Sequence, residues 1–449
     1  MKVTIVVPAI SRHAGGIAEI VRLLARAIEQ QPGFEIDILS IKREGYESDL
    51  PPFAGLRVRC FRFFGPSTYG FSPGLLWAVL WSRPDLMHVH AIWGFHVFAV
   101  HLWHLLTGRP FVVTPHGMMD AWILKRSRRL KAAVSGLYQN AFLGNATAFQ
   151  INAEAERPAV SAMVPNARIT VVANQVDAPR AIEPRPPWWS PALEGRQIYL
   201  FFGRIHEKKG IVELIEAWDR LSSGNPQFRD GAALVVAGWN DGLENFEAGA
   251  SAVAARHGNV FVVGPQFGDA KWASYRSARF FVLPSKSEGQ PMAVLEAWAC
   301  GVPSLMTEAC NLNIGFDYGA AMRSGMSAEE IVTALKITFE IPDARRETMS
   351  RAALALVDEQ FSPRVIGTGE VTDRQRCRLR AQHDDRVETH RAAERGVALP
   401  HDPKSLEREV RMHVLNQGRL RRYHRRQTAR RYADGVASEL VADAPHQPL

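Results

Sequence analysis

Two carboxylates eight residues apart, Glu288 and Glu296, stand in SKSEGQPMAVLEAWACGVP, residues 285–303. Gly289 and Pro291 lie between them and mark a strand-to-helix turn, with Pro291 expected as the first helical residue. Such a turn would aim the free backbone N–H groups of Gln290, Met292 and Ala293 at an anion such as a diphosphate. Glu288 would stand in the loop and Glu296 in the helix. Carboxylates so placed could accept hydrogen bonds from hydroxyls at separated points of one ligand, as a nucleotide sugar presents them. The plainer alternative makes Glu296 half of a helix-surface ion pair and Glu288 a helix cap. A second constellation, YLFFGRIHEKKG at residues 199–210, places Arg204 and Lys209 just after a strand that ends near Gly203. A planar guanidinium fork and a compact ammonium together suit the neutralisation of a departing diphosphate.

Short β-branched runs must hold these groups. VTIVVP, FEIDILS, LRVRCF, LMHVH, FVVTPHG, AFQIN and ITVVAN recur through residues 3–174, with helical stretches such as residues 17–30 between them. Runs of this kind mark a parallel sheet covered on both faces. APRAIEPRPPWWSPALEG, residues 178–195, carries five prolines and reads as a linker. The alternation then restarts with QIYLFFGR, AALVVAG, VFVVG, FFVLPS and PSLMT. The expected fold class is α/β, with residues 1–177 and 196–361 forming two facing Rossmann-like domains and the site in the cleft between them.

Composition bounds the reading. The chain has 449 residues and a formal charge of +8, with 46% hydrophobic and 22% charged residues, which excludes collagen-like and wholly disordered classes. Four scattered cysteines suggest neither a disulfide framework nor a metal site, so a reducing cytoplasm is the expected setting. No apolar run reaches the roughly 18 to 20 residues of a spanning helix. The charge is uneven: from Ser362 on, 17 Arg and one Lys face 12 acidic residues. This Arg-rich tail, residues 362–449, loses strand and helix patterning. Three readings of it stay open: a solvated extension, an element that binds nucleic acid or anionic membrane, and an out-of-frame translation. Nucleic acid is not implied by the charge alone.

FFGRIHEKKG followed by PSKSEGQPMAVLEAWACGVP resembles the retaining GT-B glycosyltransferases of family 4, whose E-x7-E signature is matched by Glu288 and Glu296. The resemblance runs from about residue 1 to residue 361. It implies a GT-B fold and transfer from a nucleotide-diphosphate sugar. Arg204 and Lys209 would hold the diphosphate, Glu288 the sugar hydroxyls near the transfer centre, and Glu296 the ribose. His116 in VTPHGMMD matches the family's histidine near the donor sugar. Gly15 and Gly16 match its glycine loop, Gly16 on the donor and Gly15 on the acceptor side, though a plain helix-entry turn reads equally well. Gly264 and Gln266 fall where the family's backbone meets the base.

VHAIWGFHVF and the following VVTPHGMMDAWILKRSRRLK resemble bacterial polysaccharide-assembly members, so the acceptor is expected to be a glycan or lipid-linked glycan. Lys125, Arg126, Arg128 and Arg129, for which a solvated loop or helix face is the plainer reading, could meet its pyrophosphate or anionic headgroups, and the protein is expected to be cytoplasmic and peripheral on the inner face of the membrane. No Asp-x-Asp motif occurs, and no metal is expected. The final helix that usually returns to the first domain is missing from the recognisable pattern, which stops near Phe361. A sugar-nucleotide epimerase on the same architecture and a non-catalytic binding module are the competing readings.

Overall fold

A computed structural model of the chain describes residues 1–11, 15–120, 134–179 and 185–367. The chain divides into two units, Met1–Arg374 and Gln375–Leu449. The second unit lies outside the described residues, as do Lys125, Arg126, Arg128, Arg129 and the tail beyond residue 367.

The first unit holds two sheets. One comprises β1 (Lys2–Val6), β2 (Glu35–Ile41), β3 (Arg57–Phe61), β4 (Leu86–His90), β5 (Phe111–Thr114), β6 (Ala148–Ile151) and β7 (Ile169–Val171), in the order β3-β2-β1-β4-β5-β6-β7. The other comprises β8 (Gln197–Phe202), β9 (Ala232–Ala237), β10 (Val260–Val262), β11 (Phe280–Leu283), β12 (Ser304–Met306) and β13 (Ala321–Arg323), in the order β10-β9-β8-β11-β12-β13. Their paired strands run parallel. Every residue of β9 and β11 is buried, which is why these strands read as unbroken apolar runs. Strand order reverses between β1 and β4 and again between β8 and β11, and such reversals open a crevice at the carboxyl ends of the strands. Tyr199 pairs with Phe280 and Leu200 with Phe281, so the loops that follow β8 and β11 emerge side by side.

Several local expectations change. Pro291 precedes the helix Met292–Ala299 instead of opening it: its ψ of 116° is extended, and its carbonyl accepts from Val294 N at 3.1 Å. The helix Gly268–Arg276 opens on a polar first turn that carries Asp269 and Lys271. The three-residue edge strand β13 carries no periodicity and was not anticipated. The patterning does not end at Phe361. Val176 N donates to Phe361 O at 2.9 Å, and a further short helix, Pro363–Gly367, packs on the helix Gly16–Glu29 of the first domain. The chain therefore does return to its first domain. The second half of the proline-rich segment is tied down, with Trp188 Nε1 donating to Ser274 Oγ at 2.8 Å and Leu193 buried.

One glycine fixes the β8 loop. Gly210 has φ +67°, and a Cβ there would lie 2.1 Å from Pro284 O. Both the left-handed backbone and the close approach demand glycine. Gly210→Ala should cost about 2 kcal/mol or more, read as a lower urea midpoint with an unchanged slope.

Candidate functional site

The loops that leave β8 and β11 bring the predicted groups together. Lys209 Nζ lies 2.6 Å from Glu288 Oε1, and Ser285 Oγ donates to the same oxygen at 2.7 Å. Both charged side chains are largely buried, at 16% and 10% exposure. Asn311, itself left-handed at φ +56°, donates through Nδ2 to Glu288 O at 2.7 Å and Gly289 O at 3.1 Å. Glu288 N donates to Ala309 O. The carboxylate is thus held in backbone as well as side chain, and the cap role weighed for it is absent. Burial acts to raise the Glu288 carboxyl. The Lys209 and Lys208 ammoniums, with the hydrogen bonds from Lys209 and Ser285, outweigh burial and hold it below the usual carboxylate range. Lys208, which the motif reading passed over, has its own ammonium pulled down by burial.

Arg204 sits at the outer edge, paired with Asp241 at 2.8 Å, both half-exposed. Glu296 is not part of a surface ion pair. It is buried, accepting from Lys271 Nζ at 3.0 Å and Tyr275 OH at 2.8 Å. Gly264 is left-handed, and its carbonyl accepts from Gly238 N, while Gln266 Nε2 donates to Val263 O at 3.0 Å.

The first domain faces this cluster with glycine. A Cβ on Gly16 would lie 3.1 Å from Met292 Cγ, and one on Gly15 would lie 4.0 Å from Arg204 Nε. Asn174 N donates to Gln290 Oε1 at 2.5 Å, and Asn174 Nδ2 to Gln290 O at 3.0 Å. Gln290 therefore braces the two domains with its side chain. Ala293 is half-buried in the helix behind it.

His116 ends β5 in a left-handed turn, φ +52°, followed by Gly117 at +70°. Its Nε2 lies 2.9 Å from His90 Nδ1. His88 Nε2 lies 2.8 Å from Thr114 Oγ1 behind them. Burial lowers His88 to about 4. Burial, aided by repulsion from His88, lowers His116 to about 3, so the cluster is neutral at pH 7.

Asp241, Lys271, Tyr275, Ser285, Asn311 and His90 are site residues that motif reading missed. Ser285 lies three residues from Glu288 within the motif itself; the signal of the others is weak, because each is placed by tertiary approach. Among the described residues, no group of three or more His, Cys, Asp or Glu side chains is placed to hold a metal ion. Among the described residues no helix is long and apolar enough to cross a membrane.

Residues 15–175 match the family described as "Glycosyl transferase 4-like domain", and residues 196–336 that described as "Glycosyl transferases group 1". The GDP-mannose:cellobiosyl-diphosphopolyprenol alpha-mannosyltransferase of Xanthomonas oryzae pv. oryzae is 25% identical over 326 residues, covering 69% of this chain and 79% of the relative. The D-inositol 3-phosphate glycosyltransferase of Kribbella flavida is 32% identical over 166 residues, covering 35% of this chain and 38% of the relative. Among solved structures, Anabaena Alr3699/HepE with UDP and glucose matches with a TM-score of 0.62 at 15% identity, covering 84% of this chain and 99% of that one. Sucrose-phosphate synthase from Thermosynechococcus elongatus matches with 0.61 at 15% identity, covering 85% and 100%. At such identities the structures speak for the two-domain fold alone.

The depressed Glu288 carboxyl gives a signed prediction. Its folded pKa lies below the ordinary 4.5, so its contribution to stability is complete above that value and is lost as pH falls through the folded pKa. Wild type should therefore lose stability relative to Glu288→Gln as pH drops from 6 to 3, measured by urea unfolding at each pH. A constant difference across that range would contradict it.

Proposed function

Because the chain belongs to the group 1, family 4-like glycosyltransferases of GT-B fold and uses a nucleotide-sugar donor, we propose that it transfers a hexose to a glycan or lipid-linked glycan acceptor. The pathway it fits is exopolysaccharide, capsule or lipopolysaccharide assembly. The observation that carries this reading is the buried Lys209–Glu288 pair beside Arg204, facing Gly15 and Gly16 across the cleft.

In the proposed reaction Arg204 and Lys209 take the donor diphosphate, Glu296 takes the ribose hydroxyls, and Gly264 and Gln266 border the base. Met292 and Ala293 line the helix start at the phosphates, and Gly16 leaves room for them. The acceptor hydroxyl attacks the anomeric carbon from the face that the diphosphate leaves. The C–O bond to phosphate breaks with its electron pair on the leaving oxygen, which receives the hydroxyl proton, and configuration is retained. Glu288 orients the sugar hydroxyls, and His116 closes the sugar side. The enzyme supplies position and fixed charge instead of a covalent nucleophile. Two cations serve the leaving group, so the reaction is proposed to need no metal.

The acceptor named for the Xanthomonas relative is a diphosphopolyprenol-linked cellobiose, which supports a lipid-linked acceptor here. An exposed apolar face on the first domain agrees with it. Trp77 and Trp81 are 65% and 60% exposed on the helix Pro73–Trp81, with ring centroids 6.0 Å apart, and the adjoining helix Phe95–Thr107 exposes Leu105 and Leu106. Tryptophan suits the membrane–water interface. This supports a cytoplasmic protein that is peripheral on the inner face of the membrane, with Gly15 on the acceptor side of the cleft.

The decisive assay incubates the protein with a panel of radiolabelled nucleotide sugars and membrane lipid extract. Glu288→Ala should lower kcat at least about 100-fold, and Lys209→Ala should raise donor KM as well as lower kcat. Near-wild-type transfer by Glu288→Ala would overturn the assignment. Rates should survive exhaustive EDTA treatment, and restoration of a lost rate by added Mg²⁺ would refute metal independence. Replacing both Trp77 and Trp81 with Ser should weaken sedimentation with vesicles of mixed neutral and anionic phospholipid, leaving the rate on a water-soluble acceptor unchanged.

A further inference from the structure

Glu156 is a carboxylate to which neither signature motif assigns a role. It lies just after β6, in the turn Glu154–Glu156, and is 7% exposed. Its Oε2 accepts from Gly117 N at 2.8 Å, and its Oε1 accepts from Asn152 N at 3.0 Å and Ala153 N at 3.3 Å. Both oxygens are thus committed to backbone amides at two neighbouring strand ends. Burial raises its carboxyl, the three amide bonds opposing.

The amide gripped by Oε2 belongs to a strained turn. His116 at φ +52° adopts a conformation that persists only where its surroundings over-determine it. His90 holds the imidazole, and Glu156 holds the next amide. Directly opposite is Gly289, the neighbour of Glu288. A Cβ on Gly289 would lie 3.6 Å from Gly117 N and 3.7 Å from Glu156 Oε1. Backbone meets backbone there, and the carboxylate stands immediately behind the contact.

We propose that Glu156 is a positioning residue for glycosyl transfer, which fixes the His116–Gly117 turn against Gly289 and so sets the sugar-side wall of the transfer centre. The proposal rests on the donor placement argued above. A neutral acceptor would satisfy Gly117 N–H at lower desolvation cost. Charge-assisted bonds from a buried carboxylate are stronger and stiffer, as a turn that must not relax when the sugar arrives requires.

The test uses Glu156→Gln in the full chain. The amide oxygen can still serve Asn152 and Ala153, but its NH2 then confronts Gly117 N–H. Hydrogen exchange at the Gly117 amide, without ligand, should accelerate at least tenfold. Affinity for GDP-mannose should fall at least fivefold, with affinity for GDP changed less than twofold, because the groups proposed for the nucleotide half, Arg204, Lys209 and Glu296 with Gly16 opposite, are not part of the turn that Glu156 holds. Unchanged Gly117 exchange, or equal loss of both ligands, overturns the proposal. Should wild type bind neither GDP-mannose nor UDP-glucose, the donor reading itself fails, and an unchanged exchange rate counts against Glu156 alone. If the Gln variant does not fold, Glu156→Asp, one methylene shorter, gives the same two readouts.

Discussion

The buried contact between Lys209 and Glu288, 2.6 Å apart, is the constraint around which the cleft is arranged. An ion pair taken out of water gains little unless its geometry is good and its remaining polar atoms are satisfied. Each support visible around it meets that demand. Ser285 Oγ donates to the shared oxygen, Asn311 Nδ2 donates to the carbonyls of Glu288 and Gly289, and Gly210 lets the β8 loop press on Pro284 O. The pairing of β8 with β11 supplies the approach, and the pair supplies the charge. Removing either charge would strand the other in a low-dielectric setting, so the pair on which the proposed transfer depends would also carry stability.

The opposite wall is built on a different principle. Ala91 at φ +64°, Trp93 at +75° and His116 at +52° are non-glycine residues in left-handed backbone, and all three follow β4 or β5. Strain of this kind gathers where a chain must aim groups that regular structure would point elsewhere. His96 Nε2 lies 3.2 Å from the carbonyls of His90 and Ala91 and ties the β4 end. In the proposed placement of the donor, neutral histidines and backbone amides would form the sugar side, and ions the phosphate side. The division suits a donor that is itself polar and uncharged at one end and anionic at the other.

Much of this was legible in the sequence because it is periodic or local. The apolar runs of β9 and β11 announce a covered parallel sheet, and the spacing of Glu288 and Glu296 is a property of a loop entering a helix. Glu288 meeting Lys209 across 79 residues was readable only because both fall at the carboxyl ends of adjacent strands. What escaped depends on approach in space. Asp241 beside Arg204, Tyr275 on Glu296 and Glu156 beneath Gly117 have no local pattern, since any surface carboxylate or tyrosine looks the same in a string. The return of residues 363–367 to the first domain escaped for a related reason. Five residues are too few to show a helical period, and the Arg-rich composition that follows hid them.

Charge also looks different in the folded molecule. The +8 of the whole chain lies mostly after Ser362, and three cations that line the cleft already hold carboxylates: Arg204 with Asp241, Lys209 with Glu288, and Lys271 with Glu296. A diphosphate entering such a site gains only the difference between its own pairing and the one it displaces or shares. Ground-state affinity is thereby held down. In the proposed transfer, negative charge grows on the leaving oxygen as the bond to the sugar breaks, and Arg204 and Lys209 would then gain more from it than from their carboxylates. Stabilisation that rises along the reaction is what lowers a barrier. On that reading, pre-paired cations would favour turnover over tight binding of the donor and the spent nucleotide.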